Sequence, residues 1–326
     1  MRTPRWLQPA TGAALAAVLT AGLTTAATLH PARVQATPAA RPALLVEEPR
    51  ATPQAVPSPT AAAAAPASDQ CGPPSAPEVC LGPPPGPQAD VRPASVAAPA
   101  DRYAFLVGVT KYRAPTHDTL AGAQDVGLLR DLLLADGWLP QNVHVLTDGQ
   151  ATGAAVRDGM AWLAAQSRPG TFTLFHWSGH VKQLGGGTEA LWTVDRDWVR
   201  DSDVTASLTR GGGRMWVDIA GCEGGSFVPG LPSDRVLVSV SSRADQKSYE
   251  HPDWHLSVWS ALLLDRGMRQ GEADADHDGR VTVGEALRYA TYYAQVVSWT
   301  QQPYGRQTPQ VQGDPVRGWT LADPPA

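Results

Sequence analysis

The chain has 326 residues, of which 43% are hydrophobic and 17% are charged, and its formal net charge is -5. This length accommodates one sizeable domain with additional segments, or two small domains. The charge is mild and no basic run is longer than a pair, which argues against nucleic acid as a partner because phosphate binding requires a basic surface.

The first 36 residues have the pattern of a secretory signal peptide. Arg2 and Arg5 form a positive region, an uncharged stretch runs from position 9 to position 29, small residues follow, and Val34-Gln35-Ala36 offers a cleavage site. We therefore expect a protein that is secreted, extracellular or associated with the cell wall, with no stable membrane span. The alternative is an uncleaved anchor, because the stretch approaches the roughly 20 residues that cross a bilayer.

Residues 37–100 are rich in Ala and Pro and contain few large apolar side chains. A segment of this composition cannot bury a core, so it predicts a disordered linker or a propeptide. Cys71 and Cys80 lie close together in it and would be able to form a small disulfide loop in an exported protein. Cys222 is then the odd cysteine of three.

The folded domain is predicted to span residues 101–326, with strands and helices that alternate. The apolar patterns predict strands at 103–109, 142–146, 171–175, 215–219 and 236–241, a short apolar segment at 191–194, and helices at 120–136, 152–166, 256–268 and 284–297. This order predicts an α/β fold with a mostly parallel sheet and helices on both faces.

A histidine and a cysteine follow two of the predicted strands. His180 lies after the strand that begins at Thr171, and Cys222 lies after the strand that ends at Ile219. Sites in parallel sheets gather at the carboxyl ends of strands, so the two side chains are expected to meet there. A thiol becomes a nucleophile when a nearby base takes its proton, and this pair therefore indicates a cysteine peptidase.

His176 is a second candidate for that base. His176 and His180 are four residues apart, the spacing of a metal pair on a helix. Ser178 and Gly179 argue against a helix, and no Glu completes a zinc motif. We therefore expect His176 to lie at a strand end and to form a local hydrogen bond.

Residues 274–285 match the 12-residue EF-hand loop. A Ca²⁺ ion takes oxygen ligands at positions 1, 3, 5, 7, 9 and 12, with Gly at position 6 for the turn. The predicted ligands are Asp274, Asp276, Asp278, the Arg280 carbonyl, Thr282 and Glu285. The alternative is an Asp-rich turn that caps the last helix. The sequence leaves open whether calcium activates the protein or stabilises its fold.

Several segments, in the same order, resemble the caspase-like cysteine peptidases, in particular the bacterial metacaspase/orthocaspase branch. They are found at residues 103–112, 120–125, 178–180, 220–225, 248–250 and 307–310. The resemblance implies a caspase-hemoglobinase fold and a Cys-His dyad that cuts peptide bonds in peptides or proteins. It makes Cys222 the nucleophile and His180 the family histidine. It also assigns the oxyanion hole to the backbone N–H groups of Cys222 and Val181.

The chain departs from the family pattern at two positions. Val181 stands where the family usually has Gly, and Ala220 stands where metacaspases usually have an Asp that helps the primary pocket hold Arg or Lys. Asp218 is the nearest upstream acid. Asp125 matches the family's other pocket acid, which favours cleavage after Arg or Lys. The alternative for Asp125 is a carboxylate on a helix surface.

The leading hypothesis is an exported, calcium-binding, caspase-like endopeptidase. Self-cleavage after Arg210, in a Gly-rich loop, is a further expectation, against the alternative of an uncut turn. Two other classes of function compete: a catalytically degenerate module that binds a partner at the cell surface, and a Cys-His amidase that acts on peptidoglycan or a small amide.

Overall fold

The computed structural model describes residues 92–227, 230–232, 234–300, 305–313 and 317–326. The predicted signal peptide, most of the Ala/Pro-rich segment, and both Cys71 and Cys80 lie outside the described residues. No helix within the described ranges is long and apolar enough to cross a membrane.

The strands are β1 Arg102–Gly108, β2 Val143–Thr147, β3 Phe172–Ser178, β4 Val181–Gly185, β5 Thr188–Leu191, β6 Val199–Arg200, β7 Arg214–Ala220, β8 Val236–Val240, β9 Glu250–His251, β10 Leu256–Ser257 and β11 Gln310–Gln312. The α-helices are α1 Gly122–Ala135, α2 Gly153–Gln166, α3 Asp201–Leu208, α4 Val258–Ser260, which continues as a π-helix over Ala261–Arg269, and α5 Val283–Thr300. Short 3-10 turns cover Pro99–Asp101, Pro140–Asn142, Asp148–Gln150 and Gly224–Phe227.

The central sheet has six strands in the order β11-β8-β7-β3-β1-β2. All neighbouring pairs are parallel except β11 with β8. Side chains of β1 alternate between two cores: Leu106 packs with α1 and α5, whereas Phe105 packs with α2 and α3. Both faces of the sheet are therefore covered by helices, and the predicted fold class is confirmed.

The small sheet after β3 was not predicted. β4, β5 and β6 form an antiparallel sheet where the sequence suggested a Gly-rich loop and one short apolar segment. The turn between β4 and β5 uses Gly185, Gly186 and Gly187, all with positive φ, a conformation that glycine adopts without strain. The sequence of β4 does not alternate between apolar and polar residues, so it did not predict a strand.

The ends of β3 and β7 define the place of the predicted site. Ser178 and Ala220 are register partners, so His180 and Cys222 each lie two residues beyond the sheet. The two connections approach closely here: Gly179 N–H donates to the Ala220 carbonyl at 3.1 Å. A Cβ at Gly221 would lie 2.8 Å from the Gly179 oxygen, so only glycine fits at position 221.

The packed part of the chain begins ahead of the predicted boundary at Asp101. Ala97 is buried and its N–H donates to the Pro324 carbonyl at 2.9 Å. Ala326 N–H donates to the Ser95 carbonyl at 3.1 Å. The last residues of the Ala/Pro-rich segment thus pair with the C-terminal tail.

Candidate active site

A cavity of about 570 Å³ lies at the carboxyl edge of the sheet, and both Cys222 and His180 line it. We call it the cysteine cavity. The rest of its lining comes from the ends of β3 and β7, from the chain before α1, and from residues 248–252 and 257. The predicted nucleophile and the predicted base therefore share one concave surface.

Cys222 is half-buried and its sulfur contacts one neighbouring backbone residue. Ser248 N–H donates to Sγ at 3.4 Å, and the Ser248 carbonyl accepts from the thiol at 3.5 Å. Burial raises the pKa of the thiol, while the Ser248 bond and the charge of Lys247 lower it. Lys247 is itself paired with Glu223 at 2.6 Å. The thiol is therefore protonated at neutral pH.

His180 is held by two backbone contacts. The ring Nε2 of His180 lies 2.9 Å from the His117 carbonyl, and the backbone N–H of His180 donates to the Tyr112 hydroxyl at 2.8 Å. A carbonyl only accepts, so Nε2 carries the proton and Nδ1 is the basic nitrogen of the neutral ring. Burial lowers the pKa of His180, which keeps the ring neutral at pH 7.

Tyr112 is an orienting residue that the sequence analysis did not single out. Its ring lies 4.7 Å from the His180 ring between centroids. Burial raises the pKa of its phenol, so it stays a neutral hydroxyl. The segment 103–112 carried the family resemblance, but nothing in its spacing indicated a contact across 68 residues.

Val181 leaves its N–H free of the neighbouring strand. It faces Leu191 in the β4–β5 pair, and Trp192 N–H donates to the His180 carbonyl at 3.0 Å. This pattern makes Val181–Leu191 a non-hydrogen-bonded pair, in which backbone N–H groups point away from the partner strand. Val181 also has no positive φ, so valine is tolerated at this position.

Asp125 lies behind the cavity wall rather than on it. Its side chain is fully buried, and its carboxylate accepts the Ser178 hydroxyl at 2.7 Å and the Ser257 N–H at 3.1 Å. Ser178 and Ser257 line the cavity. Burial raises the pKa of Asp125, and the bonds from Ser257 and Ser178 oppose that rise.

Glu250 is the carboxylate that does line the cysteine cavity. It accepts the N–H groups of Leu120 at 2.9 Å and Ala121 at 2.8 Å, just before α1. Burial raises its pKa. Glu250 lies in the segment 248–250 that resembles the family, but the sequence did not indicate a role for it, because tertiary contacts set the position of β9 beside the cavity.

His176 differs from its expectation. It lies inside β3 rather than at a strand end, its side chain is fully buried, and its Nδ1 lies 2.8 Å from an Asp218 oxygen. Trp259 Nε1 donates to the other Asp218 oxygen at 3.0 Å, and the Ser239 hydroxyl donates to it as well. The expected local bond is thus a contact across two strands, and Asp218 does not reach the cavity.

The acidic loop brings together three of the six predicted calcium ligands. Carboxylate oxygens of Asp274, Asp276 and Asp278 lie within 4.8 Å of one another. Glu285 is buried and accepts the N–H groups of Ala275 at 3.1 Å and Thr282 at 2.8 Å.

The Thr282 and Glu285 contacts also cap α5. Thr282 Oγ1 accepts the Glu285 N–H at 3.1 Å, which completes a reciprocal capping pair. The Arg280 side chain pairs with Asp323. Three hard oxygen donors lie close together, and oxygen donors are the ligands that Ca²⁺ takes. The Thr282 and Glu285 contacts are those of a helix cap.

The loop at Arg210 is held at both ends. Gly212 N–H donates to the Ser167 carbonyl at 3.0 Å, and an Arg235 nitrogen donates to the Thr209 carbonyl at 2.8 Å. The loop precedes β7, whereas Cys222 follows it, and seven strand residues span roughly 23 Å. Arg210 therefore cannot reach the cysteine of its own chain.

The model of the caspase domain family matches residues 101–312. Among curated proteins, the chain is similar to Metacaspase-1 of Candida albicans, with 33% identity over 102 residues. That match covers 29% of this chain and 22% of the relative. Among solved structures, a Geobacter sulfurreducens protein aligns with a TM-score of 0.48 and 15% identity, over 66% of this chain and 94% of that one.

Proposed function

The chain belongs to the caspase domain family, and from that premise we propose that it is a cysteine endopeptidase with Cys222 as nucleophile and His180 as base. The observation that carries the proposal is the shared cysteine cavity. Within it, the Ser248 backbone contacts the sulfur and the His117 carbonyl fixes the imidazole tautomer.

The proposed reaction begins from a neutral thiol and a neutral imidazole. When a peptide carbonyl is bound, the Cys222 proton passes to Nδ1 of His180 while Sγ attacks the carbonyl carbon. The negative oxygen that forms is bound by the N–H groups of Cys222 and Val181. The His180 imidazolium then protonates the leaving amine, and water hydrolyses the thioester to release the acid and restore the thiol.

The proposed primary specificity is for Arg or Lys. Glu250 supplies a carboxylate on the cavity wall, and Asp125 adds negative charge from behind Ser178. Ala220 removes the acid that metacaspases usually place there, so Glu250 becomes the group that meets a basic side chain. A bound cation favours ionisation of Glu250 and offsets the effect of its burial.

Hydrolysis of fluorogenic peptides ending in Arg, Lys, citrulline or Asp tests both parts of this proposal. We expect cleavage after Arg and Lys, none by Cys222→Ala, and a loss of about tenfold or more in kcat/KM for Arg in Glu250→Gln. Glu272→Gln is the matched control, because Glu272 lies outside the cavity lining. No cleavage by folded protein would refute the peptidase, and equal cleavage after Arg and citrulline would refute the specificity.

We also propose that residues 274–285 bind Ca²⁺. Asp274, Asp276 and Asp278 would hold the ion, together with Thr282, the Arg280 carbonyl and Glu285. Bound calcium would supply positive charge that joins the loop to the start of α5. Isothermal titration should give one site that is lost in Asp276→Ala and kept in Asp245→Asn, and the wild-type Tm should rise with calcium. Equal binding by both variants would contradict the site.

Export is proposed from the sequence pattern of residues 1–36 alone. The N-terminus of the mature protein, read by mass spectrometry after expression in a secreting host, should lie close to residue 37. An intact Met1 in the membrane fraction would instead support the anchor. Any cut at Arg210 must occur between molecules, so its rate should rise with protein concentration.

A further inference from the structure

A second cavity of about 500 Å³ lies beside the β4–β5 turn. We call it the hairpin cavity. Gln183, Glu189, Ser226, Arg243 and Asp245 are among its lining residues, and none of its lining is shared with the cysteine cavity. Gly185, Gly186 and Gly187 form one rim, and a Cβ on any of them would meet open space.

Three chain segments connect the cysteine cavity to the hairpin cavity. Each segment has residues in both cavities, such as His180 and Gln183, Cys222 and Ser226, and Ser248 and Asp245. His180, Cys222 and Ser248 are thus the lining residues of the cysteine cavity that lie nearest in sequence to the hairpin cavity. A substrate whose residue before the scissile bond fills the cysteine cavity would extend its following residues toward the hairpin cavity.

The distance along β4 indicates which substrate residue arrives there. Val181 lies at the proposed oxyanion position, and Gln183 follows it by two residues of extended strand, about 7 Å. An extended peptide has the same rise per residue. The second residue after the scissile bond is therefore the one within reach of the hairpin cavity.

Glu189 is the buried acid of this cavity. Its exposed fraction is 2%, and one carboxylate oxygen accepts the Ser226 hydroxyl at 2.5 Å. Burial raises its pKa to about 7, the charges of Glu223 and Asp201 add to the rise, and hydrogen bonds from Ser226 and Gln183 oppose it. A carboxylate in this state gains more from a cation than one already paired.

The cations nearby are engaged with other acids. Arg243 pairs with Asp245 at 3.1 Å, and both side chains are more than half exposed. Lys247 pairs with Glu223 at 2.6 Å. Glu189 is thus surrounded by two acids, two neutral hydrogen-bond partners and two cations that already have carboxylate partners. When Glu189 is ionised, its charge is therefore not matched by a cation in the described part of the chain.

We propose that the hairpin cavity binds a basic side chain, Lys or Arg, at the second position after the scissile bond, with Glu189 as the recognising carboxylate. The inference rests on the proposed peptidase function. Glu189 would then recognise a basic residue after the scissile bond, in addition to the basic residue that Glu250 recognises before it. Substrates would then carry basic residues on both sides of the cut.

Two quenched peptides test the inference, with Arg before the scissile bond and either Arg or citrulline two residues after it. Proline follows the variable residue so that only the intended bond is open to cleavage, and mass spectrometry verifies the cut. The readout is the ratio of kcat/KM for the two peptides from pH 6 to pH 8. Ionisation of Cys222 and His180 is common to both peptides and cancels in this ratio.

The wild type should favour Arg by about tenfold at pH 8, the size of one charge-assisted hydrogen bond, and by less at pH 6, where Glu189 is protonated. The ratio should fall to near one at every pH in Glu189→Gln and stay at the wild-type value in Glu272→Gln, because Glu272 lies outside the lining of both cavities. A wild-type ratio near one, or one that persists in Glu189→Gln, would overturn the inference.

The same peptides separate this inference from the proposed function. If neither peptide is cleaved, the peptidase proposal fails, and the ratio of the two Kd values on Cys222→Ala, by fluorescence anisotropy, decides the inference. Tighter binding of the Arg peptide by about tenfold would support the cavity assignment. Equal binding would reject it.

Discussion

The strand pair β3–β7 carries two histidine-centred contacts with different surroundings. His176 and Asp218 are register partners in the middle of the sheet, fully buried and 2.8 Å apart. His180 and Cys222 lie two residues beyond the strand ends, half-buried in a cavity. His176 therefore makes a contact that is enclosed by protein, whereas His180, four residues later, faces a cavity.

The difference lies in which atoms already have partners. Asp218 accepts from His176, Trp259 and Ser239, so its carboxylate is saturated by the protein. At the strand ends, the sulfur of Cys222 is hydrogen-bonded to the Ser248 backbone, and Nδ1 of His180 is the basic nitrogen. We therefore expect chemistry at the strand ends, where the sheet supplies fewer partners, and a stabilising role for the His176–Asp218 contact.

The largest expected effect is on activity. His180→Ala should lower kcat/KM on an Arg peptide by about 10³-fold, the range of general acid–base catalysis, with an unchanged circular dichroism spectrum. His176→Ala should lose folded protein but keep the wild-type kcat/KM per folded molecule, counted by active-site titration. A well-folded but inactive His176→Ala beside an active His180→Ala would reverse the two roles.

The positions of His180 and Cys222 could be predicted from the sequence. The apolar runs ending near His180 and Cys222 placed both residues at the sheet edge, because parallel strands buried on both faces have few polar residues. His176 was misjudged because β3 continues through His176 to Ser178, three positions past its predicted end at 175. Its partner Asp218 lies 42 residues away, and no local pattern encodes that register.

Other site features depend on tertiary contacts. The Tyr112 hydroxyl and the His117 carbonyl contact His180, and Glu250 lines the cavity, each from a segment that is distant in sequence. Asp125 was predicted as a pocket acid, but the packing of α1 places it behind Ser178. The acidic loop, in contrast, could be predicted from the sequence. Its 12-residue spacing is local, and the loop brings its three aspartates together.

The next effect in size is on stability. Asp218→Ala removes the acceptor of three buried donors and should lower the free energy of unfolding by on the order of 3 kcal/mol. Urea denaturation followed by tryptophan fluorescence measures this loss. Asp245→Asn, at an exposed site, should stay within about 0.5 kcal/mol of wild type. A similar small loss in Asp218→Ala would show that the mid-sheet contact contributes little.

The smallest expected effect concerns the resting state of the thiol. Because burial raises the pKa of Cys222, alkylation by iodoacetamide should be no faster than for a free thiol at pH 7. Its rate should rise about tenfold for each pH unit up to pH 9, as the thiolate fraction grows. A rate that is already constant above pH 6 would indicate a preformed thiolate–imidazolium pair and would contradict the neutral resting state.

The most direct test of the central claim is covalent capture by a peptide chloromethyl ketone ending in Arg. Its methylene carbon should form one thioether with Cys222, with release of chloride, and peptide mapping by mass spectrometry identifies the residue. A single adduct on Cys222 is expected, prevented by an excess of the uncleaved Arg peptide and formed much more slowly in His180→Ala. No adduct on folded protein, or one formed equally fast without His180, would contradict it.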